Sequence, residues 1–363
     1  QDVQIQNVPV PGVPDQVDLV VKVTERPTGN MMFTAGYSST EKMLLGVAFN
    51  EPNFLGTGNT FGIDINTGQS QRTASVSYVD PYFTPDGVSL GTDVYSRTFN
   101  AYNSGLGDYR IRSAGGGLRL GIPYTELDRI SFGLVFEQNQ IKPGTNGLPQ
   151  RYIDYVNQFG STSDAWLATL GWSRDSRDSG IAPTRGAIQR LNVDVTFPGQ
   201  DLSYYRATYQ HAWYTPLTKD YTFSLSADVG YGRGLSGKPY PVFKNFYAGG
   251  INSVRGFGSN SLGPRDVKDN NPLGGTASFA ASAEVLFPLP GTGNDKTVRA
   301  FLFADAGNVF DNRIDFGELR YSAGAGINWL SPVGPLKLSL GYPVKRKPGD
   351  DTQRVQFEMG TAF

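Results

Sequence analysis

The sequence predicts an all-β fold, a transmembrane antiparallel β-barrel of 16 strands. Three observations carry this reading. Apolar and polar residues alternate with period two along segments of about 9–12 residues. The segments are even in number, and short connections alternate with longer ones. The 363-residue chain has 45 Gly, 12% aromatics and 18% charged residues, against roughly 25% charged in an average soluble chain. It has no apolar run near the ~20 residues of a spanning helix.

Residues 1–26 differ from the rest. Pro9, Pro11 and Pro14 precede an apolar stretch, Val17 to Val23, and then Glu25 and Arg26. This reads as the tail of a separate soluble domain, too short to bury a core of its own. Residues 27–363 read as the barrel.

The expected strands, in order, are 29–38, 41–50, 58–68, 71–80, 88–99, 110–121, 129–140, 163–174, 187–198, 202–214, 221–232, 275–287, 298–306, 319–329, 335–342 and 352–362. In the seventh, Ile130, Phe132, Leu134 and Phe136 oppose Ser131, Gly133 and Glu137. In the ninth, Leu191, Val193, Val195 and Phe197 oppose Asn192, Asp194 and Thr196. The eleventh sets Tyr221, Phe223, Leu225, Ala227 and Val229 against Thr222, Ser224, Ser226, Asp228 and Gly230. The last sets Val355, Phe357, Met359 and Phe363 against Arg354, Gln356, Glu358 and Gly360. A soluble sheet also alternates, but its strands average only ~5–6 residues. Aromatics gather near segment ends, as interfacial girdles require: Tyr82 and Phe83, Tyr95 and Phe99, Trp166 and Trp172, Trp213 and Tyr214.

One set of connections is short and rich in turn residues: 51–58, 80–87, 215–220 and 330–334. The other varies more and includes 141–162 and 233–274. In an outer-membrane barrel such turns are periplasmic and such loops extracellular. The connection 233–274 contains eight Gly and the run GGINSVRGFG at 249–258, in which a single Arg stands among glycines. A loop this long is usually functional or disordered.

Composition also excludes. Lys+Arg 32 against Asp+Glu 33 lacks the basic excess of a nucleic-acid binder. No Cys and one His remove thiolate chemistry and multi-His metal sites. That His211 shares parity with Tyr205, Ala207, Tyr209 and Trp213, which points it to lipid, and no G-x-S-x-G is present. The acidic run RDSRDSG at 174–180 lacks the EF-hand pattern and reads as a charged turn. Neither catalysis, a metal nor a cofactor is expected.

Longer motifs add a family resemblance over nearly the whole chain. VRGF (254–257), TERPTG (24–29), FLGTG (54–58), PYFTPDGVSLG (81–91), SLGPRD (261–266), FADAGNVF (303–310) and the terminal GYPVKRKPGDDTQRVQFEMGTAF resemble the BamA-type outer-membrane assembly family. The resemblance implies that residues 1–26 are the remnant of the last periplasmic POTRA domain. It implies a long extracellular loop folded into the lumen, where Arg255 of the Val254, Arg255, Gly256, Phe257 motif pairs with Glu284 and Asp305. Alternation allows both carboxylates to point inward, although Phe301 and Phe303 then face the lumen as well.

It further implies a lateral seam that opens between the first strand (Met31, Met32, Phe33, Thr34) and the last (Gln356, Phe357, Glu358, Met359, Gly360, Phe363). A short hydrophobic belt there would thin the bilayer. The implied function is non-enzymatic folding and insertion of β-barrel clients into the bacterial outer membrane, with the N-terminus periplasmic. Implied partners are unfolded β-barrel clients, accessory periplasmic lipoproteins, and outer-membrane lipid or lipopolysaccharide. Two other classes compete: a two-partner-secretion transporter, which shares VRGF-type loops, and a general diffusion porin.

Overall fold

The computed structural model describes residues 2–9, 11–12, 16–24, 28–145, 148–289, 291, 297–331 and 334–360. Two strands, β1 (Asp2–Pro9) and β2 (Val17–Thr24), form a separate antiparallel hairpin. Val3, Ile5, Leu19, Val21 and Val23 are all exposed on it.

The barrel begins with β3 (Asn30–Ser38), β4 (Lys42–Glu51), β5 (Thr60–Thr67), β6 (Gln71–Asp80), β7 (Ser89–Asn100), β8 (Tyr109–Pro123) and β9 (Asp128–Pro143). After a helix, α1 (Gln150–Phe159), it continues with β10 (Thr162–Asp175), β11 (Gly186–Thr196), β12 (Tyr204–Pro216) and β13 (Thr222–Gly234). A two-residue strand, β14 (Gly256–Phe257), lies in the long loop. The wall resumes with β15 (Ala277–Pro288), β16 (Val298–Phe310), β17 (Arg320–Ser331) and β18 (Gly334–Lys345), followed by β19 (Thr352–Gln353) and β20 (Val355–Met359). Sixteen strands close the barrel, each paired with its neighbours in chain order, and β20 meets β3. β14 and β19 pair with each other inside that order.

All sixteen expected segments fall on barrel strands. The physical reason is the pleat, which sends alternate side chains to opposite faces. Ser224, Ser226, Asp228, Ser282 and Glu284 line a lumenal cavity. Leu225, Leu302, Leu340 and Tyr342 are exposed on the outer face. His211 stacks beside Tyr209 in the outward row, their rings 6.4 Å apart.

Two expectations need correction, and a third, the long loop folded into the lumen, is met. The last segment is not one strand over 352–362. Thr352 and Gln353 pair with the loop strand β14, and only Val355–Met359 joins the wall. Thr361 and Phe363 lie outside the described residues. The connection 141–162 contains α1, whose Tyr152 and Tyr155 are buried. Pro149 before it and Gly160 after it are ordinary helix start and stop signals. Burial pushes the Tyr155 hydroxyl up to about 12. Finally, the long loop (235–276) is structured. It holds a 3-10 turn over Val242–Lys244 and the bridges Phe246–Gly275, Ala248–Leu262 and Arg265–Pro272.

The two longest connections, 144–161 and 235–276, lie at one rim, hereafter the loop rim; the opposite rim is the turn rim. At the loop rim α1 caps the lumen. Tyr109 donates to Tyr152 across 2.9 Å, and Arg151 grips Asp311 with two hydrogen bonds of 3.2 and 2.8 Å.

Candidate functional site

The long loop descends into the lumen and brings Arg255 against the wall at β15 and β16. Arg255 is 2% exposed, and Val254 and Phe257 beside it are fully buried. Its Nε donates to Asp305 Oδ2 at 2.8 Å and its Nη2 to Asp305 Oδ1 at 2.6 Å, a two-pronged grip. Its backbone N–H donates to Asp305 Oδ2 at 2.9 Å. Nη1 reaches Glu284 Oε1 at 2.5 Å, and Nη2 also reaches Ser282 Oγ at 2.7 Å. The guanidinium carbon sits 3.6 Å from the centre of the Phe303 ring and 5.4 Å from that of Phe301.

Only a planar, multi-donor cation satisfies so many acceptors while stacking on a ring. The two inward phenylalanines are therefore the floor on which the guanidinium lies. Ser282, directly opposite Asp305 across the β15–β16 ladder, carries no motif that would mark it in sequence.

Gly256 explains how the loop comes so close. Its φ is +85°, and a β-carbon there would lie 3.2 Å from the Gly341 carbonyl carbon. A β-carbon on Gly341 of β18 would lie 2.6 Å from the Gly256 nitrogen. Two backbones touch with no side chain between them.

The loop is also tied to both sides of the β3–β20 junction. Gln356 of β20 is 1% exposed; its Nε2 donates to the Phe257 carbonyl at 2.7 Å. Asn252 Nδ2 donates to Glu358 Oε1 at 3.4 Å. On the other side, Thr40 and Ser259 share a hydroxyl–hydroxyl bond of 2.6 Å. Gln356 thus faces the lumen and holds the loop, a contact that strand alternation permits but does not announce.

A second tie holds the loop's earlier limb to the far wall. Lys244 forms an ion pair with Glu137 of β9, which also accepts from Tyr95 at 2.8 Å and Asn139 at 2.7 Å. The sequence reading did not single out this pair.

The junction itself is thin. Among the described residues, β20 pairs with β3 at two positions, Glu358 with Ser38 and Met359 with Tyr37. Ser39 adds a clasp: its N–H and hydroxyl both donate to the Phe357 carbonyl at 2.8 Å, and its hydroxyl accepts from the Phe357 N–H at 2.7 Å. Below this, Met31, Met32, Phe33 and Thr34 pair with Phe49, Ala48, Val47 and Gly46 of β4, while residues 361–363, which the β3–β20 register would set beside Ala35, Thr34 and Phe33, lie outside the described residues.

The described part of the junction ends at Gly360. Its φ is +96°, and its N–H turns back to the Pro335 carbonyl at 2.9 Å. A β-carbon there would sit 2.8 Å from Gly36 Cα, and one on Gly36 would sit 2.7 Å from the Met359 carbonyl oxygen. Met31, Met32 and Phe33 are 63%, 59% and 72% exposed. Among the described residues no cluster of His, Cys, Asp or Glu is arranged to hold a metal.

Residues 53–363 match the Omp85 superfamily domain. The outer membrane protein assembly factor BamA of Neisseria meningitidis serogroup B is 38% identical over 402 aligned residues, covering 100% of this chain and 50% of that protein. The mouse sorting and assembly machinery component 50 homolog is 27% identical, covering 97% of this chain and 76% of its own. Among solved structures, BamA from Haemophilus ducreyi lacking POTRA domains 1–3 has a TM-score of 0.90 at 28% identity, covering 100% of this chain and 75% of that one. CdiB from Acinetobacter baumannii has a TM-score of 0.60 at 14% identity over 99% of this chain and 65% of its own, a likeness of fold alone. The chain spans about half the length of the BamA relatives it matches.

Proposed function

The chain belongs to the Omp85 superfamily, and from that premise we propose that it is the membrane part of a factor that folds and inserts β-barrel proteins into the bacterial outer membrane. The observation that carries the proposal is the junction of β3 and β20, paired at two positions among the described residues, against fifteen between β8 and β9.

The chemistry follows from the unmatched edge. Asn30–Gly36 pairs on one side with β4 and has no strand partner on the other among the described residues. In hydrocarbon an unpaired strand edge costs several kcal/mol per group. An incoming client strand relieves that cost by adding to the edge through backbone hydrogen bonds. Backbone pairing is indifferent to most side chains, which suits a factor with many clients. The loop held by Arg255, Glu284 and Asp305 fixes the shape of the wall next to this edge. No group in this scheme makes or breaks a covalent bond.

In this reading the N-terminal hairpin is the end of the last POTRA domain, and its exposed valines support a larger sheet around it. The N-terminus and the turn rim are then periplasmic, and accessory lipoproteins bind through the periplasmic part. Outer-membrane lipid or lipopolysaccharide contacts the exposed Met31–Phe33 belt. Export of a single large substrate is the competing reading, and the weaker likeness to CdiB disfavours it.

Depletion of the parent protein in its host tests the proposal. Many unrelated outer-membrane barrels should lose their heat-modifiable gel forms together. Their persistence, with loss of one secreted protein from the medium, would replace assembly by secretion.

A further inference from the structure

The lumen contains a second chamber, on the wall opposite the β3–β20 junction, that the assembly scheme does not use. It has a volume of about 720 Å³ and is enclosed by β6 to β12 and the loop residue Lys244. It extends from Ser89, Gly121 and Arg129, near the turn ends of their strands, up to Tyr204 and Lys244.

Its charge is unbalanced. Five cations, Arg97, Arg119, Arg129, Arg206 and Lys244, line it against three carboxylates, Asp93, Glu137 and Asp194. Two of the carboxylates are already engaged, Glu137 by Lys244 and Asp93 by Arg119 at 3.7 Å. Arg97 has no carboxylate within ion-pair distance among the described residues; its guanidinium stands 5.8 Å from the Tyr95 ring centre. Arg206 stacks on Phe246 at 4.5 Å, and its Nε is buried without a hydrogen-bond partner. Asp194, its cross-strand neighbour, is not within ion-pair distance. Between the cations stand hydroxyls of Thr73, Ser75, Ser77 and Thr169.

We propose that this chamber binds a small oxyanion of the phosphate class. Guanidinium groups match phosphate oxygens with paired donors, and hydroxyls supply the remaining bonds. Low-dielectric walls around a cluster of one sign focus its field and raise the local concentration of counter-ions. Ser89, Gly121 and Arg129 carry its lining down to the turn ends of their strands, the direction from which an anion would enter. The oxyanion is either free or carried on a phosphorylated sugar.

The test uses the full chain in detergent, with chloride as the only other anion, and inorganic pyrophosphate as the probe in a calorimetric titration. Saturable binding is expected, weakened at least ten-fold in the double variant Arg97→Gln, Arg206→Gln and weakened by added chloride. Absence of saturable heat, or equal affinity in the variant, overturns the proposal. Arginine labelling with phenylglyoxal on the unaltered chain gives an independent readout should the variant not fold. Pyrophosphate should protect Arg97, Arg119 and Arg129 while Arg313 at the loop rim still reacts. Equal labelling with and without pyrophosphate again overturns it. Parallel titrations with inorganic phosphate and glucosamine 1-phosphate separate the sources: tighter binding of the sugar phosphate assigns the site to a sugar-borne phosphate, and weaker binding to the free ion.

Discussion

Gln356 donates its side-chain amide to the Phe257 carbonyl at 2.7 Å, so the last strand of the wall holds the long loop directly. Both residues are buried. Gln356→Leu leaves that carbonyl without its donor, a loss of about 1–3 kcal/mol. Amide exchange at Gly256 and Phe257 should accelerate and the denaturation midpoint should fall. Unchanged exchange at both amides would remove the tie.

Arg255→Ala leaves Asp305 buried without its cation, and the expected loss is about 3–5 kcal/mol. Arg255→Lys should recover little of it. An ammonium has no planar fork to reach Asp305, Glu284 and Ser282 while lying on Phe303. Thermal melting of the three proteins checks the order; a lysine variant as stable as the parent contradicts the geometry.

The Lys244–Glu137 pair lends itself to a charge swap. Lys244→Glu and Glu137→Lys should each destabilise the loop, and together they should recover part of the loss. A coupling of about 0.5–3 kcal/mol is expected for partners in one network. A swap no better than the sum of the singles would show that the two side chains act independently.

The chain has no Cys, so engineered pairs report on the junction without background. Cysteines at Tyr37 and Met359, which face each other across the ladder, should cross-link. A disulfide tolerates Cα separations up to about 7 Å. Cysteines at Phe33 and Met359 should not, since four residues of strand add about 13 Å. Efficient cross-linking of the second pair would mean a different register.

The turn between β10 and β11 offers a pH test. Asp178 accepts from the Thr184 hydroxyl and from the Thr184 and Arg185 amides, at 2.9 and 3.2 Å for the amides. The Thr184 hydroxyl first, and these amides after it, hold its carboxyl down to about 2. A depressed carboxyl stabilises the turn above its unfolded value of about 3.9, and the effect fades as pH falls through the lower one. The Thr184 amide resonance should titrate with a midpoint near 2; a midpoint near the unfolded value would exclude these bonds.

The wall was legible in the sequence because a two-residue period leaves its mark on every strand. Glu284 and Asp305 were legible through the family resemblance, and the alternation only allowed them to face inward. The end of the chain was not. Whether Gln353 and Gln356 serve the wall or the loop depends on where the loop comes to rest, and no local pattern encodes that. Lys244 and Glu137 are 107 positions apart, and neither stands in a motif. The helix Gln150–Phe159 was missed inside a connection read only for its length, although Pro149 and Gly160 mark its ends.

The glycine contact at Gly36 and Gly360 has a mechanical consequence. A closed sheet distributes thermal strain evenly only if all its joints are equally stiff. Here one joint has two residue pairs and a serine clasp, and beneath it two backbones meet with no side chain to interlock. The cylinder is a ring by topology but a ribbon with a buckle by elasticity. Fewer backbone bonds among the described residues oppose opening here than at the β8–β9 joint, so a breathing of the cylinder is expected to concentrate at that buckle.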